Sequence, residues 1–239
     1  MMQRRQPAIL LFDVFGTVVD WRSSLIRHLP GHLAPQGLVV DAGAFADAWR
    51  GLYQPSMEAV RRGERPWVSL DVLHRESLDA VLAAFGCDAL PTHARDGLNR
   101  LWHRLDPWPD AAAGLRRLKA FGYCCALSNG NLRLMAAVAR HADLAWDQIL
   151  GAEWSKAYKP QPQVYLDAVA AFGVRPDEAL MVAAHNADLE AAAALGLATA
   201  FVRRPREYGP AQTTDLHASR PWTFIADDFH ELADQLARV

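Results

Sequence analysis

The chain has 239 residues, 51% of them hydrophobic, and a formal net charge of −2, which suits one large domain or a core domain with an insertion. Since it has neither a basic surplus nor a block of like charge, we expect no nucleic-acid partner. The three cysteines suggest no disulfide framework, and the first apolar run breaks at Asp13, too early for a signal peptide or a membrane span, so we expect a cytoplasmic protein with no membrane partner.

The first predicted element is a short buried strand at residues 9–12, which ends just before Asp13. A short, bounded apolar run is typical of a strand buried on both faces. Gly16 permits a sharp turn beside a ligand. Asp13 then stands at the carboxyl end of a central strand, where open parallel sheets bind their ligands. The alternative is that Asp13 only caps a turn.

The pattern changes twice along the rest of the chain. Up to residue 106 it is helical, with helices expected at 44–62, 69–85 and 92–104. From residue 107, strands alternate with helices. The predicted strands are 123–127, 148–152, 179–184, 198–202 and 223–226, and the predicted helices are 109–121, 131–141, 161–172, 187–195 and 228–237.

Strands that alternate with helices predict an α/β fold with a Rossmann-like, doubly wound parallel sheet. Because the first strand belongs to that sheet, the helical block interrupts it. We therefore predict a core of residues 1–18 and 107–239, and a helical cap of residues 19–106. A cap that joins a core at a strand end makes a cleft that can close over a substrate.

Polar residues follow several of these strands. They are Asp13 and Thr17 after the first strand, Ser128 and Asn129 after the second, Lys159 before a helix, and His185, Asn186 and Asp188 after the strand at 179–184. Carboxyl ends of parallel strands lie side by side, so we expect these groups to converge. A carboxylate such as Asp13 can act as a nucleophile by forming an ester, and Lys159 would keep it ionised.

The order Asp-x-x-Gly-Thr, Ser-Asn-Gly, Lys-Pro and a small-residue strand end with Asp resembles the haloacid dehalogenase superfamily. The resemblance covers the whole chain and places the helical insertion where that superfamily carries its first type of cap. Most members are magnesium-dependent phosphatases with a second Asp two positions after the nucleophile. Here that position is Phe15, and Ala183 and Ala184 stand where an acidic metal ligand is expected. The resemblance therefore implies a metal-independent enzyme without a cofactor.

Within the superfamily, the motif pattern without the phosphatase acids is similar to that of the (S)-2-haloacid dehalogenases of type II. The resemblance implies that Asp13 is the nucleophile, with Thr17 beside it, and that Arg50 in the cap receives the halide. Ser128 and Asn129 match a pair near the substrate carboxylate. Lys159 and Tyr165 match the family's lysine and tyrosine, and Asp188 matches its last acidic residue.

Two departures from the family pattern lie in the predicted site. Phe15 stands where the family's best-studied members have Tyr, so it would line the substrate pocket without a hydroxyl. The segment 183–185 replaces Ser-x-Asn, and His185 or Asn186 would take over beside the hydrolytic water. His185 is a plausible base for that water, with Asp188 as the alternative.

The implied reaction has two steps: Asp13 displaces halide from a small (S)-2-haloacid, and water then hydrolyses the aspartyl ester to a 2-hydroxy acid. Two alternatives are a phosphatase with an atypical metal site and a non-catalytic member that binds a carboxylate. The resemblance also suggests a homodimer.

Most of these site residues also have a structural explanation that the sequence leaves open. Thr17, Ser128, Asn129 and Asn186 suit turn or helix caps, with Asn186 favoured as the N-cap of its helix. Asp188 would be stabilised by the helix dipole, His185 could be a structural residue at the strand end, Tyr165 could pack in the core, and Lys159 and Arg50 could be surface cations.

Overall fold

The computed structural model describes residues 5–239, so residues 1–4 of the predicted core segment 1–18 lie outside the described part. The strands are β1 (Ile9–Phe12), β2 (Val19–Asp20), β3 (Asp106–Pro107), β4 (Tyr123–Ser128), β5 (Gln148–Gly151), β6 (Ala179–Ala183), β7 (Ala198–Val202) and β8 (Phe224–Ala226). Six of them form one parallel sheet in the order β5–β4–β1–β6–β7–β8, while β2 and β3 pair antiparallel as a separate ribbon.

Helices cover the sheet and fill the block between β2 and β3. They are α1 (Trp21–Leu33), α2 (Ala42–Gly51), α3 (Tyr53–Arg61), α4 (Leu70–Ala84), α5 (Thr92–Asn99), α6 (Ala111–Leu118), α7 (Leu132–His141), α8 (Ala152–Ser155), α9 (Pro162–Ala171), α10 (Asn186–Ala194) and α11 (Phe229–Leu236). The predicted α/β fold with a parallel sheet is confirmed. Within residues 5–239, no helix is long and apolar enough to cross a membrane.

The predicted helix at 44–62 is wrong, because the structure has two helices there, α2 and α3, with Leu52 between them. Pro55 has no N–H to donate to the carbonyl of Gly51, so one continuous helix would lose a hydrogen bond and crowd the proline ring. The predicted helix at 92–104 ends at Asn99 and continues as a 3₁₀ turn. The β2–β3 ribbon was not predicted, since two-residue strands show no alternation.

The first strand occupies the centre of the sheet, between β4 and β6. All four of its side chains are fully buried. Leu10 and Phe12 join a core cluster that continues into the helical block, while Ile9 and Leu11 join a cluster on the opposite face. Because successive side chains of β1 point to opposite faces of the sheet, helices pack on both faces. Asp13 follows β1 and lies at the edge where the parallel strands end.

The β2–β3 ribbon lies at both boundaries that the sequence predicts for the helical insertion. Trp108 donates from its backbone N–H to the carbonyl of Val18 at 3.0 Å, which continues the pairing by one residue. We therefore propose that residues 19–106 form the cap and that this ribbon is its base.

Candidate active site

A backbone hydrogen bond positions Asp13 at the centre of the sheet edge. Its N–H donates to the carbonyl of Val182 at 3.0 Å, so the parallel pairing with β6 extends one residue beyond β1. The side chain is almost completely buried. The carboxylate therefore lies beside the end of β6, next to His185 and the first turn of α10.

Three side chains donate to the two oxygens of Asp13. Thr17 Oγ1 donates to Oδ2 at 2.7 Å, and His185 Nδ1 contacts the same oxygen at 3.0 Å. Lys159 Nζ donates to Oδ1 at 2.9 Å. Thr17 Oγ1 also accepts from the N–H of Ala184 at 2.9 Å, which orients its hydroxyl toward the carboxylate. Oδ2 therefore has two donors and Oδ1 has one.

Lys159 is positioned by both domains that the sequence predicts. Its N–H donates to Asn129 Oδ1 at 2.8 Å, and its carbonyl accepts from Arg61 Nη2 of α3 at 2.6 Å. Its ammonium bridges Asp13 and Asp188, and Tyr165 donates its hydroxyl to the other oxygen of Asp188. The lysine is thus held between two carboxylates inside the site.

Glu207 completes the site, although its sequence position did not predict this role. It lies in the loop after β7 and is 1% exposed. Its Oε2 lies 2.8 Å from His185 Nε2, and its Oε1 accepts from Trp21 Nε1 at 3.0 Å. The available sequence signal was an acid soon after the predicted strand 198–202, because the end of that strand joins the same sheet edge.

The charges in the site fix the protonation of each group. Burial would raise the pKa of Asp13, but the Lys159 ammonium and His185 hold it well below its usual range. Burial would lower the pKa of His185, but the charge of Glu207 and the bond to Asp13 raise it well above its usual value. Burial also opposes the charge of Lys159, yet Asp13 and then Asp188 raise its pKa. Asp13 is therefore a carboxylate between two cations.

The carboxylate opens into a cavity of about 290 Å³ between the sheet edge and the helical block. Phe15 forms part of the wall, and its ring meets those of Tyr53 and Trp102 edge to face at 6.2 and 5.9 Å. Lining residues of the cavity are Asp13, Phe15, Arg50, Tyr53, Gln54, Asn129, Lys159, Pro160, Tyr165, His185, Ala187, Asp188 and Tyr208. Tyr53, Gln54 and Tyr208 were not predicted as lining residues. Tyr53 belongs to an apolar helical stripe, whose aromatic residues are usually core, and Tyr208 lies in the loop after β7.

Arg50 brings a buried cation to this cavity from α2. Its guanidinium lies 4.0 Å from the ring centre of Tyr53 and 3.9 Å from a Glu207 oxygen. Within residues 5–239, its Nη1 has no hydrogen-bond partner although it is buried. An unpaired buried donor next to an aromatic face suits a weakly hydrated anion.

Several predicted site residues do not reach the cavity wall. Thr17 is fully buried beneath Asp13, and Ser128 Oγ accepts from the N–H of Gly130 at 3.0 Å. Asn186 binds the loop at 215–222 instead. Its side chain donates to Asp215 and to the carbonyl of residue 217, and it accepts from Ser219 and Trp222, at 2.8–3.0 Å. The substrate-binding role predicted for Asn186 is therefore not supported by its position.

The donor set does not fit a magnesium ion. Such a cation prefers several oxygen ligands, but the Lys159 ammonium lies between Asp13 and Asp188 and occupies the position that a cation would share. The neighbouring side chains at 183 and 184 are those of alanine. In the part of the chain that the structure describes, no group of three or more His, Cys, Asp or Glu side chains could hold a metal ion.

Comparisons with known proteins agree with the fold. A family model described as haloacid dehalogenase-like hydrolase matches residues 7–196. The chain is 31% identical to (S)-2-haloacid dehalogenase 1 of Pseudomonas sp. (strain CBS-3) over 212 residues, which cover 83% of this chain and 86% of that protein.

Two crystal structures are more similar to this chain than that protein is. The L-2-haloacid dehalogenase PA0810 has a TM-score of 0.94 and 49% identity, covering 98% of this chain and 100% of that one. The defluorinating L-2-haloacid dehalogenase Rha0230 has a TM-score of 0.95 and 48% identity, covering 97% and 95%. The chain therefore belongs to the haloacid dehalogenase-like hydrolases and, among them, to the (S)-2-haloacid dehalogenase family.

Proposed function

We propose that this protein hydrolyses small (S)-2-haloacids to 2-hydroxy acids through an ester on Asp13. One observation carries the proposal: the ionised carboxylate of Asp13, bound to Lys159, faces a cavity to which the helical block contributes Arg50, whose Nη1 has no hydrogen-bond partner among residues 5–239. A nucleophile and an anion acceptor across one small cavity suit the displacement of a halide. Phe15, where the phosphatases carry an acid, agrees with a leaving group that needs no proton.

In the first step, an Asp13 oxygen attacks the carbon that bears the halogen, and the carbon–halogen electron pair leaves with the halide toward Arg50. Oδ1 is the attacking oxygen, because it has one donor where Oδ2 has two. The substrate carboxylate binds near Asn129, beside the positive charge of Lys159. The product is a neutral ester that links Asp13 to the acid.

In the second step, a water oxygen bonds to the Cγ atom of Asp13 and the ester bond from Cγ to Oδ1 breaks. Asp188 accepts a proton from the water, and Lys159, which contacts Oδ1, protonates the departing alkoxide. Asp188 then returns its proton to Lys159 across their hydrogen bond. The second proton of the water dissociates from Asp13 to solvent, so the carboxylate is restored and the whole reaction releases one halide and one proton. Tyr165 holds Asp188 in place for this exchange, because burial and the charge of Asp188 raise the pKa of its phenol and keep it a donor.

The test is halide release from (S)-2-chloropropionate in the presence of EDTA. We expect release that survives EDTA and disappears in Asp13→Asn. Turnover of p-nitrophenyl phosphate that requires magnesium would favour the phosphatase alternative, and neither activity would favour a carboxylate-binding member. A parallel reaction with 2-fluoropropionate is warranted by the 48% identity to Rha0230, whose name describes it as defluorinating.

We also propose a cytoplasmic location and a homodimer, as the sequence analysis expects. The location is supported by three cysteines that are all buried and unpaired. Light scattering at micromolar concentration tests the dimer, for which a mass of one chain, 26.4 kDa, would be the contrary result.

A further inference from the structure

His185 lies between two carboxylates, and its contacts with them determine how many protons its ring carries. Its Nδ1 contacts Asp13 Oδ2 at 3.0 Å and its Nε2 contacts Glu207 Oε2 at 2.8 Å. An ionised carboxylate only accepts hydrogen bonds, and a neutral imidazole has one N–H. Both contacts are hydrogen bonds only if both ring nitrogens carry protons. The ring is therefore an imidazolium in the resting enzyme, which cannot accept a proton from water.

Glu207 is built to keep that charge. It is 1% exposed, and its second oxygen accepts from Trp21 Nε1. Gly16 has a φ of +86°, and a Cβ atom there would lie 2.0 Å from Glu207 Oε1, so the glycine leaves the space that the carboxylate occupies. A buried carboxylate without a cation is costly, and His185 supplies the cation directly while Arg50 supplies a second one at 3.9 Å.

The proton on His185 Nδ1 points at one particular oxygen. When Oδ1 of Asp13 carries the ester, Oδ2 is the carbonyl oxygen of that ester. Attack by water moves the carbonyl electron pair onto Oδ2, which becomes an oxyanion. Thr17 Oγ1 and His185 Nδ1 are already in place to donate to it, at 2.7 and 3.0 Å. Donors fixed in advance where charge develops are the most effective electrostatic element of acyl transfer.

We propose that Glu207 is a positioning residue that holds His185 as an imidazolium, and that His185 with Thr17 forms the oxyanion hole for hydrolysis of the ester on Asp13. This inference rests on the proposed function and deepens its second step. It replaces the general-base role that the sequence suggests for His185. The His185 proton is not transferred at any point: the oxyanion collapses, the bond from Cγ to Oδ1 breaks, and the alkoxide takes its proton from Lys159.

The groups that face His185 are of both signs. Asp13 and Glu207 contact the ring, Lys159 and Arg50 lie behind those two carboxylates, and the phenol of Tyr208 lines the same cavity. Among the residues that the structure describes, only the two carboxylates form hydrogen bonds with the ring nitrogens. Removal of the charge at residue 207 therefore removes half of the negative charge that holds the imidazolium, and leaves the nucleophile and the lysine in place.

The experiment compares wild type, Glu207→Gln and the control Glu190→Gln, whose side chain is about half exposed near Arg220. Each enzyme is mixed with (S)-2-chloropropionate, quenched on the millisecond scale, and analysed for chloride and for covalently modified protein by intact mass. For Glu207→Gln we expect a first burst of about one chloride per enzyme, a steady rate lowered by about 10²-fold or more, and accumulated ester. Glu190→Gln should match wild type.

Two results would overturn the inference. One is a Glu207→Gln enzyme that is slow in the first chloride burst and accumulates no ester. The other needs no variant: in ¹⁵N spectra of histidine-labelled wild type, assigned by the loss of signals in His185→Asn, a His185 ring nitrogen without a proton at pH 7. Failure of the proposed function looks different, since wild type itself would then release no chloride and carry no ester at any time.

Discussion

Replacement of Gly16 by alanine tests whether the packing of Glu207 against the nucleophile loop determines stability. Gly16 has a φ of +86°, and an added Cβ atom would lie 2.0 Å from one carboxylate oxygen of Glu207. A flexible carboxylate could ordinarily move away, but Glu207 is 1% exposed and bonded to Trp21 and His185. We therefore expect it to lose both hydrogen bonds.

The chain offers a matched control in Gly173. It has a φ of +63°, so alanine there meets the same left-handed strain of about 1–2 kcal/mol, but apart from its chain neighbours no atom of residues 5–239 lies within 4 Å of the added Cβ. The entropy that alanine removes from the unfolded chain is the same in both variants. Only the displacement of Glu207 differs. Two hydrogen bonds to a charged group at about 1.5–3 kcal/mol each give a difference of about 3–6 kcal/mol in the free energy of unfolding.

Urea unfolding of the two variants and wild type, followed by tryptophan fluorescence, measures this difference. We expect a small loss for Gly173→Ala and a loss for Gly16→Ala that is a large part of the total stability, which is about 5–15 kcal/mol for typical domains. Equal losses in the two variants would show that Glu207 is not held as described and would refute the reasoning.

Three further predictions concern other residues. Asn186→Ala should lower the free energy of unfolding by roughly 2–5 kcal/mol, because it removes four hydrogen bonds to the loop at 215–222, without raising KM; a higher KM would restore its substrate-binding role. Lys159→Met should lower kcat by about 10²–10³-fold and move the acidic limb of the pH–rate profile upward, because the pKa of Asp13 rises without the ammonium; an unmoved limb would contradict this. His74 is buried with no partner for either ring nitrogen within residues 5–239, and burial lowers its pKa to about 3. Its pKa in the unfolded chain is higher, so the unfolded chain binds a proton that the folded protein does not. The free energy of unfolding therefore falls by up to about 1.4 kcal/mol for each unit that the pH is lowered from roughly 6.5 to 3. Urea unfolding at pH 7 and pH 5 should show a smaller decrease in His74→Leu than in wild type.

The sequence predicted the convergence of the main site residues because a parallel sheet brings all its strand ends to one edge. Asp13 and Lys159 are far apart in the chain, yet each could be assigned to that edge from local pattern alone. Arg50 could be placed only through the family resemblance, since nothing in the apolar stripe of its helix states which residue will face the sheet.

Glu207 and Asn186 show where such prediction fails. The contact of Glu207 with His185 depends on the path of the loop after β7, and that loop has no periodicity from which its path could be inferred. Asn186 is next to His185 in sequence, but His185 is the extended residue before α10 and Asn186 is the first residue of that helix. Residues one or two apart on a helix do not share a face, so Asp188 lines the cavity with His185 while Asn186 turns toward the loop at 215–222.

The balance of charge around the cavity explains why this site suits a halide. Three carboxylates and three cations meet there: Asp13, Asp188 and Glu207, and Lys159, His185 and Arg50. When Asp13 attacks, its charge disappears into a neutral ester and reappears on the halide, so the net charge of the buried site does not change. A site of low dielectric penalises the creation of net charge far more than its movement toward a cation such as Arg50. A second acid at the position of Phe15 would add a fourth negative charge beside Asp13 and serve a proton transfer that a halide does not need.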